Sequence, residues 1–405
     1  ITPSVYWGGN FAGEFVNAKQ FEGVAMDKII ESPALRKNPL SYGPYYIKEV
    51  IQGEKVIFEA NPYFYKGEPK IKRIEMEILP PSQQVAAIKS GKYDLVFMAS
   101  TDIFPEIEKF DNINIATRKA NYMNYIAFKL GKWDAEKNEN IVNPNAKMYD
   151  INLRKAIAYA IDNDAIGEQF FHGLASTAKS QLSPSFPSLH NPDINGYRID
   201  IEKAKKLLDD AGYKDVDGDG IREGKDGKPI KFTFAMMSGG ETAEPISQYY
   251  LQQWKSIGLN VELVDGRLLD FNNFYDRVEA DDPAIDFCLA GIGFSSDPQQ
   301  VSLFGKTAGF NISRYTSDTL DAALSATVSP EAMDDQKRIE LYKNYERVFM
   351  DELPVVPQLN KYEFLPINKR VKMFDWTESR RGFGTEFDWS QLELTAPEPI
   401  VDSKN

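Results

Sequence analysis

The chain reads as an α/β protein of two lobes, and three observations lead there. At 405 residues it exceeds what one ordinary hydrophobic core accommodates. Apolar residues at helical spacing alternate with short β-branched and aromatic runs from the first third of the chain to near its end. No stretch approaches the roughly 20 consecutive apolar residues of a membrane span. With 42% hydrophobic and 12% aromatic residues, the folded core has ample material.

Taken in order, Ser41-Tyr-Gly-Pro-Tyr-Tyr-Ile47 predicts a strand, and Ala60-Asn-Pro-Tyr-Phe-Tyr-Lys-Gly67 a turn closing on it. Gln83 to Phe97 reads as helix, Ser-Gly turn and strand, the strand covering Leu95 to Met98. Asn121-Tyr-Met-Asn-Tyr-Ile-Ala-Phe128 alternates like a strand. Asn152 to Asp162 is an amphipathic helix with Ala156, Ile157, Ala160 and Ile161 on one face, and a second helix runs from Asp164 to Phe171. After the Pro-rich crossing Ser183-Pro-Ser-Phe-Pro187, Asp200 caps a helix that buries Ala204, Leu207, Leu208 and Ala211 and stops at Gly212. The strand Lys231–Ala235, the helix Pro245–Ile257 and the strand Leu259–Leu263 follow. Further on come the apolar strand Ala284–Ala290, a helix beginning near Gln299, helices Asp318–Leu324 and Ser329–Met350, and strand pairing over Pro354–Phe364.

This order of elements and residues resembles the extracytoplasmic solute-binding proteins of ABC importers, in the oligopeptide, dipeptide and nickel group (bacterial solute-binding protein family 5). Gly43-Pro-Tyr45, Asn61-Pro-Tyr63, the element through Ala87, Ile88, Gly91 and Asp94, and the run from Asn152 to Leu263 carry the resemblance. So do Asp297-Pro298, Phe304, Asn311 and Arg314-Tyr315. It extends from about Tyr42 to about Phe374. What it implies is a periplasmic-binding-protein-like fold of the class II type, with mixed sheets flanked by helices and a hinge between lobes. Residues 1–120 and 361–405 would form a discontinuous first lobe and 121–360 an inserted second lobe. The family has a long segment ahead of its Gly-Pro-Tyr strand, so the chain reads as a C-terminal piece of a larger protein rather than a shortened relative. The implied function is capture of oligopeptides outside the cytoplasm and delivery to a membrane permease, by a monomeric protein anchored as a lipoprotein or free in the periplasm. A peptide-signal receptor, or a binder of an oligosaccharide or metal chelate, are the alternatives on the same fold.

Composition narrows the partners. A net charge of −13 argues against sequence-independent binding of nucleic acid or anionic lipid, both of which need a basic face. The lone Cys288 lies in an apolar strand and reads as a small core residue. His172 and His190 stand in no metal-ligand or triad pattern, and no Gly-rich phosphate loop is present, so no enzyme and no cofactor are expected. Of the tryptophans Trp7, Trp133, Trp254, Trp376 and Trp389, which together could form a sugar platform, Trp254 on its amphipathic helix reads as core.

Candidate ligand contacts come chiefly from a loop and a strand. The loop Gly291-Ile-Gly-Phe-Ser-Ser-Asp-Pro298 follows a strand and precedes a helix, where an α/β lobe faces its crevice. Its glycines permit close backbone approach, and Gly293, Phe294, Ser295, Ser296 and Asp297 are the contacts expected. The resemblance implies an acidic residue four positions before the proline, pairing with the peptide's α-ammonium, but Phe294 occupies that position. Asp297 either substitutes for it or merely caps the following helix. On the hinge strand, Tyr122 and Asn124 share one face and Met123 and Tyr125 the other, with the Asn124 amide suited to a peptide backbone. Ser100-Thr-Asp102 is a similar loop, and Arg314 with Tyr315 could hold a carboxylate or form a structural ion pair. Asp215, Asp217, Asp219 and Asp226 sit at calcium-loop positions one, three, five and twelve, although the last is Asp rather than Glu.

Overall fold

The computed structural model describes residues 23–25, 28, 41, 43–97, 99–240, 242–294, 297–372 and 389–403, the side chains of 117–121 excepted. Strands β1 (Tyr45–Ile51), β2 (Lys55–Ala60) and β3 (Arg73–Glu77) precede the short helices α1 (Gln84–Lys89) and α2 (Phe104–Ile107). The long strand β4 (Ile113–Phe128) leads through β5 (Gly131–Asp134) and β6 (Glu139–Val142) to helices α3 (Ile151–Tyr159) and α4 (Asn163–Phe171). Strand β7 (Ala175–Thr177), helix α5 (Ile201–Ala211), strand β8 (Phe232–Met236), helix α6 (Ala243–Ser256) and strand β9 (Val261–Leu263) follow. Then come α7 (Phe271–Glu279), β10 (Phe287–Gly293), α8 (Val301–Phe304), α9 (Asp318–Ala326) and α10 (Asp335–Glu352). The described part ends with β11 (Val355–Asn368), β12 (Val371–Lys372) and β13 (Glu393–Leu394).

The chain forms two compact units, residues 1–99, 105–116 and 364–405 in the first, 100–104 and 117–363 in the second. In the first, β1, β2 and β3 make an antiparallel sheet. Leu365, Ile367, Val371 and Leu392 form a small core there, and Arg370 holds Asp94 through Nε at 2.6 Å and Nη2 at 2.8 Å. The strand expected at Leu95–Met98 reduces to a single bridge between Leu95 and Ile367, with Met98 outside the described residues. Two hydrogen bonds, Val96 N to Pro366 O and Asn368 N to Asp94 O, flank it.

The second unit is built on a six-stranded mixed sheet in the order β7-β11-β4-β10-β8-β9. β10 runs antiparallel to β4 and parallel to β8, and β8 parallel to β9. One face carries Met123, Tyr125, Ala127, Cys288, Ala290 and Ile292 into a core completed by α7, α9 and α10. The other is aromatic: Trp254, fully buried, has its ring 5.0 Å from both Phe234 and Phe287. Its indole Nε1 donates to Ile157 O at 3.2 Å. Edge-to-face rings add to area burial, and about 3–5 kcal/mol rests on such a residue.

Helix ends follow local chemistry. Asp150, Asp162 and Asp200 each accept a backbone N–H of the first turn, and Gly212 ends α5 at φ 90°. Of the expected stripe on α5, Ala204 and Leu208 are buried, Leu207 and Ala211 only partly. The helix expected over Ser329–Met350 is broken: Pro330–Met333 forms a 3₁₀ turn, and Asp334, accepting from Lys337 N, starts a new helix. The strand pair expected at Pro354–Phe364 is one continuous strand.

Candidate functional site

β4 and β10 pair from Phe287↔Phe128 to Gly293↔Tyr122. At the Phe287 end, the rings of Phe128 and Phe287 fill one face, and the small Ala127 and Cys288 are buried on the other. At the Gly293 end, Met123 and Tyr125 enter the core, while Tyr122 and Asn124 stay half-buried on the opposite face beside Gly291 and Gly293. Asn124 Nδ2 makes one long contact, donating to Ala290 O at 3.5 Å, which leaves most of its amide uncommitted. Gly291 is required by close approach: a Cβ built there would lie 1.6 Å from the Tyr122 hydroxyl oxygen. Burial, with Tyr275 nearby, pushes the Tyr122 phenol up to about 12, so it remains a hydrogen-bond donor at neutral pH.

Beyond Gly293 the ring of Phe294 packs partly buried against the core. Ser295 and Ser296 lie outside the described residues. Asp297 is exposed; its Oδ1 accepts from Gln299 N at 3.1 Å and faces Arg338 Nη2 at 3.7 Å. The helix starts later than expected, at Val301 with Gln300 as its N-cap residue, so Asp297 closes a turn ahead of the helix and does not cap it. The anchor of this loop is Gln300: its Nε2 donates to Gln181 O at 2.8 Å, and its Oε1 accepts from Tyr345 OH at 2.9 Å. These buried partners lie more than 40 residues away along the chain, and no local pattern marks them.

The remaining candidates resolve differently. Arg314, 2% exposed, pairs with Asp281 at 2.7 Å and donates to the carbonyls of Gly309 and Glu279. It is a structural ion pair with no capacity left for a ligand. Tyr315 lines a cavity of about 800 Å³ elsewhere in the second unit, where Lys225 pairs with Asp150 and Lys147 with Asp286. There the Arg154 guanidinium is occupied by the carbonyls of Met148, Tyr149, Glu352 and Leu353. Ser100 Oγ donates to Asp102, and both group with the second unit.

The calcium-loop set is not gathered as expected. Asp215 and Asp217 converge with Glu223, whereas Asp219 accepts Ile221 N and Asp226 accepts Lys228 N. Asp215 accepts from Gly218 and Gly220 N, and Glu223 from Val216 N, so the carboxylates close their own turn. Cys288 is fully buried, and burial pushes its thiol up to about 12, which keeps it protonated and inert. His190 bonds the buried Glu346 through Nδ1 at 2.9 Å, and His172 ends α4 in the left-handed region at φ 50°. Trp254 is core; Trp389 packs on Phe97 with rings 5.5 Å apart; Trp7 and Trp376 lie outside the described residues. Among the described residues, no helix is long and apolar enough to cross a membrane.

Residues 12–311 match the family described as bacterial extracellular solute-binding proteins, family 5 Middle. The oligopeptide-binding protein OppA of Lactococcus lactis subsp. lactis is 30% identical over 391 residues, which are 96% of this chain and 64% of that protein. The chain thus spans just under two thirds of that relative's length. The oligopeptide-binding protein AppA of Bacillus subtilis is 28% identical over 82% of this chain and 57% of its own length. In structure, lactococcal OppA complexed with an endogenous peptide in the closed conformation superposes with a TM-score of 0.83. That match has 28% identity and covers 94% of this chain and 71% of that one. NikA from Brucella suis in complex with Fe(III)-EDTA gives a TM-score of 0.71 at 20% identity, covering 88% of this chain and 69% of that one, a likeness of fold alone. The α/β fold, the matched residues and these relatives agree: the chain belongs to the bacterial extracellular solute-binding proteins of family 5.

Proposed function

We propose that the chain is the main part of the substrate-binding subunit of an ABC importer, non-enzymatic and monomeric, which captures oligopeptides outside the cytoplasm and hands them to a membrane permease. The observation that carries this is the Gly293 end of the β4–β10 pair. Two glycines, an uncommitted amide at Asn124 and the protonated phenol of Tyr122 meet there on one half-open face. Backbone amides of an extended ligand find donors and acceptors in such a patch without side-chain selection. The lactococcal relative named for oligopeptide binding supports the ligand class. Gly293, Phe294 and Asp297 are the loop contacts in this reading, with Ser295 and Ser296 between them. We further propose that hinge motion at two of the chain crossings, 116–117 and 363–364, accompanies binding. In this reading the protein works outside the cytoplasm, as a cell-surface lipoprotein or in the periplasm.

A second reading, a non-peptide solute, is favoured by one observation. The position where the resemblance implies an acid for the peptide's ammonium holds Phe294, and that ring is turned onto the core. Native mass spectrometry of the full-length protein purified from its own cells separates the two. A ladder of peptide masses is the expected result; a sugar or metal-chelate mass would replace the peptide assignment.

A further inference from the structure

The cavity of about 800 Å³ in the second unit lies between the loop from Pro144 to Ile151, the loop carrying Lys225 and Asp226, and the C-terminal end of α10. Its size is that of a small-molecule site. Lys147 in its wall is held at 3.0 Å by Asp286, the residue before β10. The length of β10, roughly 20 Å by strand rise, separates that anchor from Gly293. The rings of Tyr149, Tyr213 and Tyr315 line the cavity. Tyr213 is only 4% exposed, yet among the described residues its hydroxyl bonds no protein group. That oxygen is not sealed off from solvent, so it opens onto the cavity the residue lines. Burial, with Asp150 nearby, pushes the phenol up to about 12, and it stays protonated at neutral pH.

The charges around these rings are unequally matched. Lys147 has Asp286, Lys225 pairs with Asp150, and the Arg154 guanidinium is filled by carbonyls, those of Glu352 and Leu353 among them. The carboxylate of Glu352 accepts from Ser317 Oγ at 2.6 Å but has no cation among the described residues. Asp351 and Asp226 have only exposed partners, Arg347 at 3.1 Å and Lys228 at 3.4 Å, and such pairs contribute little. Two acids and no basic residue occupy the last turn of α10, where the helix dipole favours cations. Lys225 already shows which chemistry suits the rings: its ammonium stands 5.6 Å from the ring centre of Tyr213.

We propose that this cavity is a second binding site, for a small organic amine whose ammonium meets the Glu352 and Asp351 carboxylates and whose carbon chain lies on the tyrosine rings. An unpaired carboxylate and the negative faces of phenol rings favour the same charge, and a neutral chain gains from neither. The Tyr213 hydroxyl is free to accept a further N–H. The site is independent of peptide capture and is tested apart from it.

Full-length protein is titrated by calorimetry at low salt with cadaverine, and with pentanediol as its uncharged counterpart. Wild type is expected to give a saturable isotherm with the amine and none with the diol. Glu352→Gln should weaken the amine on the order of fivefold, as loss of one charge-assisted contact does. Glu340→Gln removes the same charge from an exposed position twelve residues earlier on α10 and should change nothing. Melting temperatures check folding, and Asp351→Asn replaces Glu352→Gln if that variant does not fold. Retention of an octapeptide pool should be the same in all of them. Equal weakening by Glu340→Gln would reduce the binding to the general attraction of an acidic protein and overturn the site. Binding of the diol, or no saturable isotherm with cadaverine, overturns it as well. So does a loss of peptide retention in step with amine affinity, which would merge the cavity with the site at Gly293. A wild type that takes cadaverine but retains no peptide leaves this site standing while the peptide reading falls.

Discussion

The two ends of the β4–β10 pair are built from the same backbone ladder for opposite purposes. At the Phe128–Phe287 end the rings sit 6.3 Å apart within an aromatic cluster, and the buried cations just beyond it, Lys129 and Arg314, converge on Asp281. Every charge there has a partner. At the Tyr122–Gly293 end, Gly291, Gly293, Tyr122 and Asn124 share the exposed face, and the Asn124 amide is nearly idle. On the proposed reading, stability and solute binding are separated along one strand. Saturation marks the structural end, and unspent hydrogen-bonding capacity marks the end proposed to bind.

That contrast predicts which substitutions hurt stability and which hurt binding. The largest stability loss is expected for Asp281→Asn, which strands two buried cations: about 3–5 kcal/mol in urea denaturation, with peptide retention by the folded fraction unchanged. The same site sets a pH dependence. Lys129 and Arg314 hold the Asp281 carboxyl below its ordinary value against the opposing effect of burial. Its contribution is therefore complete above the ordinary carboxylate range and is lost as pH falls through the depressed folded value. Wild-type stability should drop more steeply below about pH 4 than that of Asp281→Asn, a difference readable from denaturation midpoints across pH. Next comes Trp254→Phe, which leaves the Ile157 carbonyl without its donor and a gap beside Phe234; about 1–3 kcal/mol is expected, again without effect on binding.

At the other end the order reverses. Gly291→Ala drives a methyl into the space of the Tyr122 hydroxyl, so the ring must swing away. Stability should change by about 1 kcal/mol or less, while peptide affinity falls on the order of tenfold. A variant that lost stability but bound normally would break the contrast. The smallest effect belongs to Asp297→Ala: its contact with Arg338 is long and exposed, so about 0.5 kcal/mol or less is expected in melting experiments. If its peptide affinity is also unchanged, Asp297 has no part in holding a ligand's ammonium.

What the sequence made legible was local. Asp200 and Gly212 announce both ends of one helix because capping needs only neighbouring residues. The α/β class and the core role of Trp254 follow from periodicity, and Tyr122 and Asn124 are assigned to one face by alternation alone. The rest depended on contacts distant in sequence. Gln300 looks like any loop glutamine until Tyr345 and Gln181 close on it. The carboxylates of the Asp215 loop suggested four ligands, but a bridge between Lys214 and Glu223 folds Glu223 in and turns Asp226 away.

The most direct test of the central claim, that the Gly293 end of β4–β10 binds the ligand, is retention of a mixed octapeptide pool by full-length wild type and by Asn124→Ala. The account predicts equal melting temperatures and at least a fivefold loss of retained peptide in the variant, since one amide hydrogen bond is worth roughly 1 kcal/mol or more in a desolvated site. Undiminished retention by a correctly folded Asn124→Ala protein would contradict it.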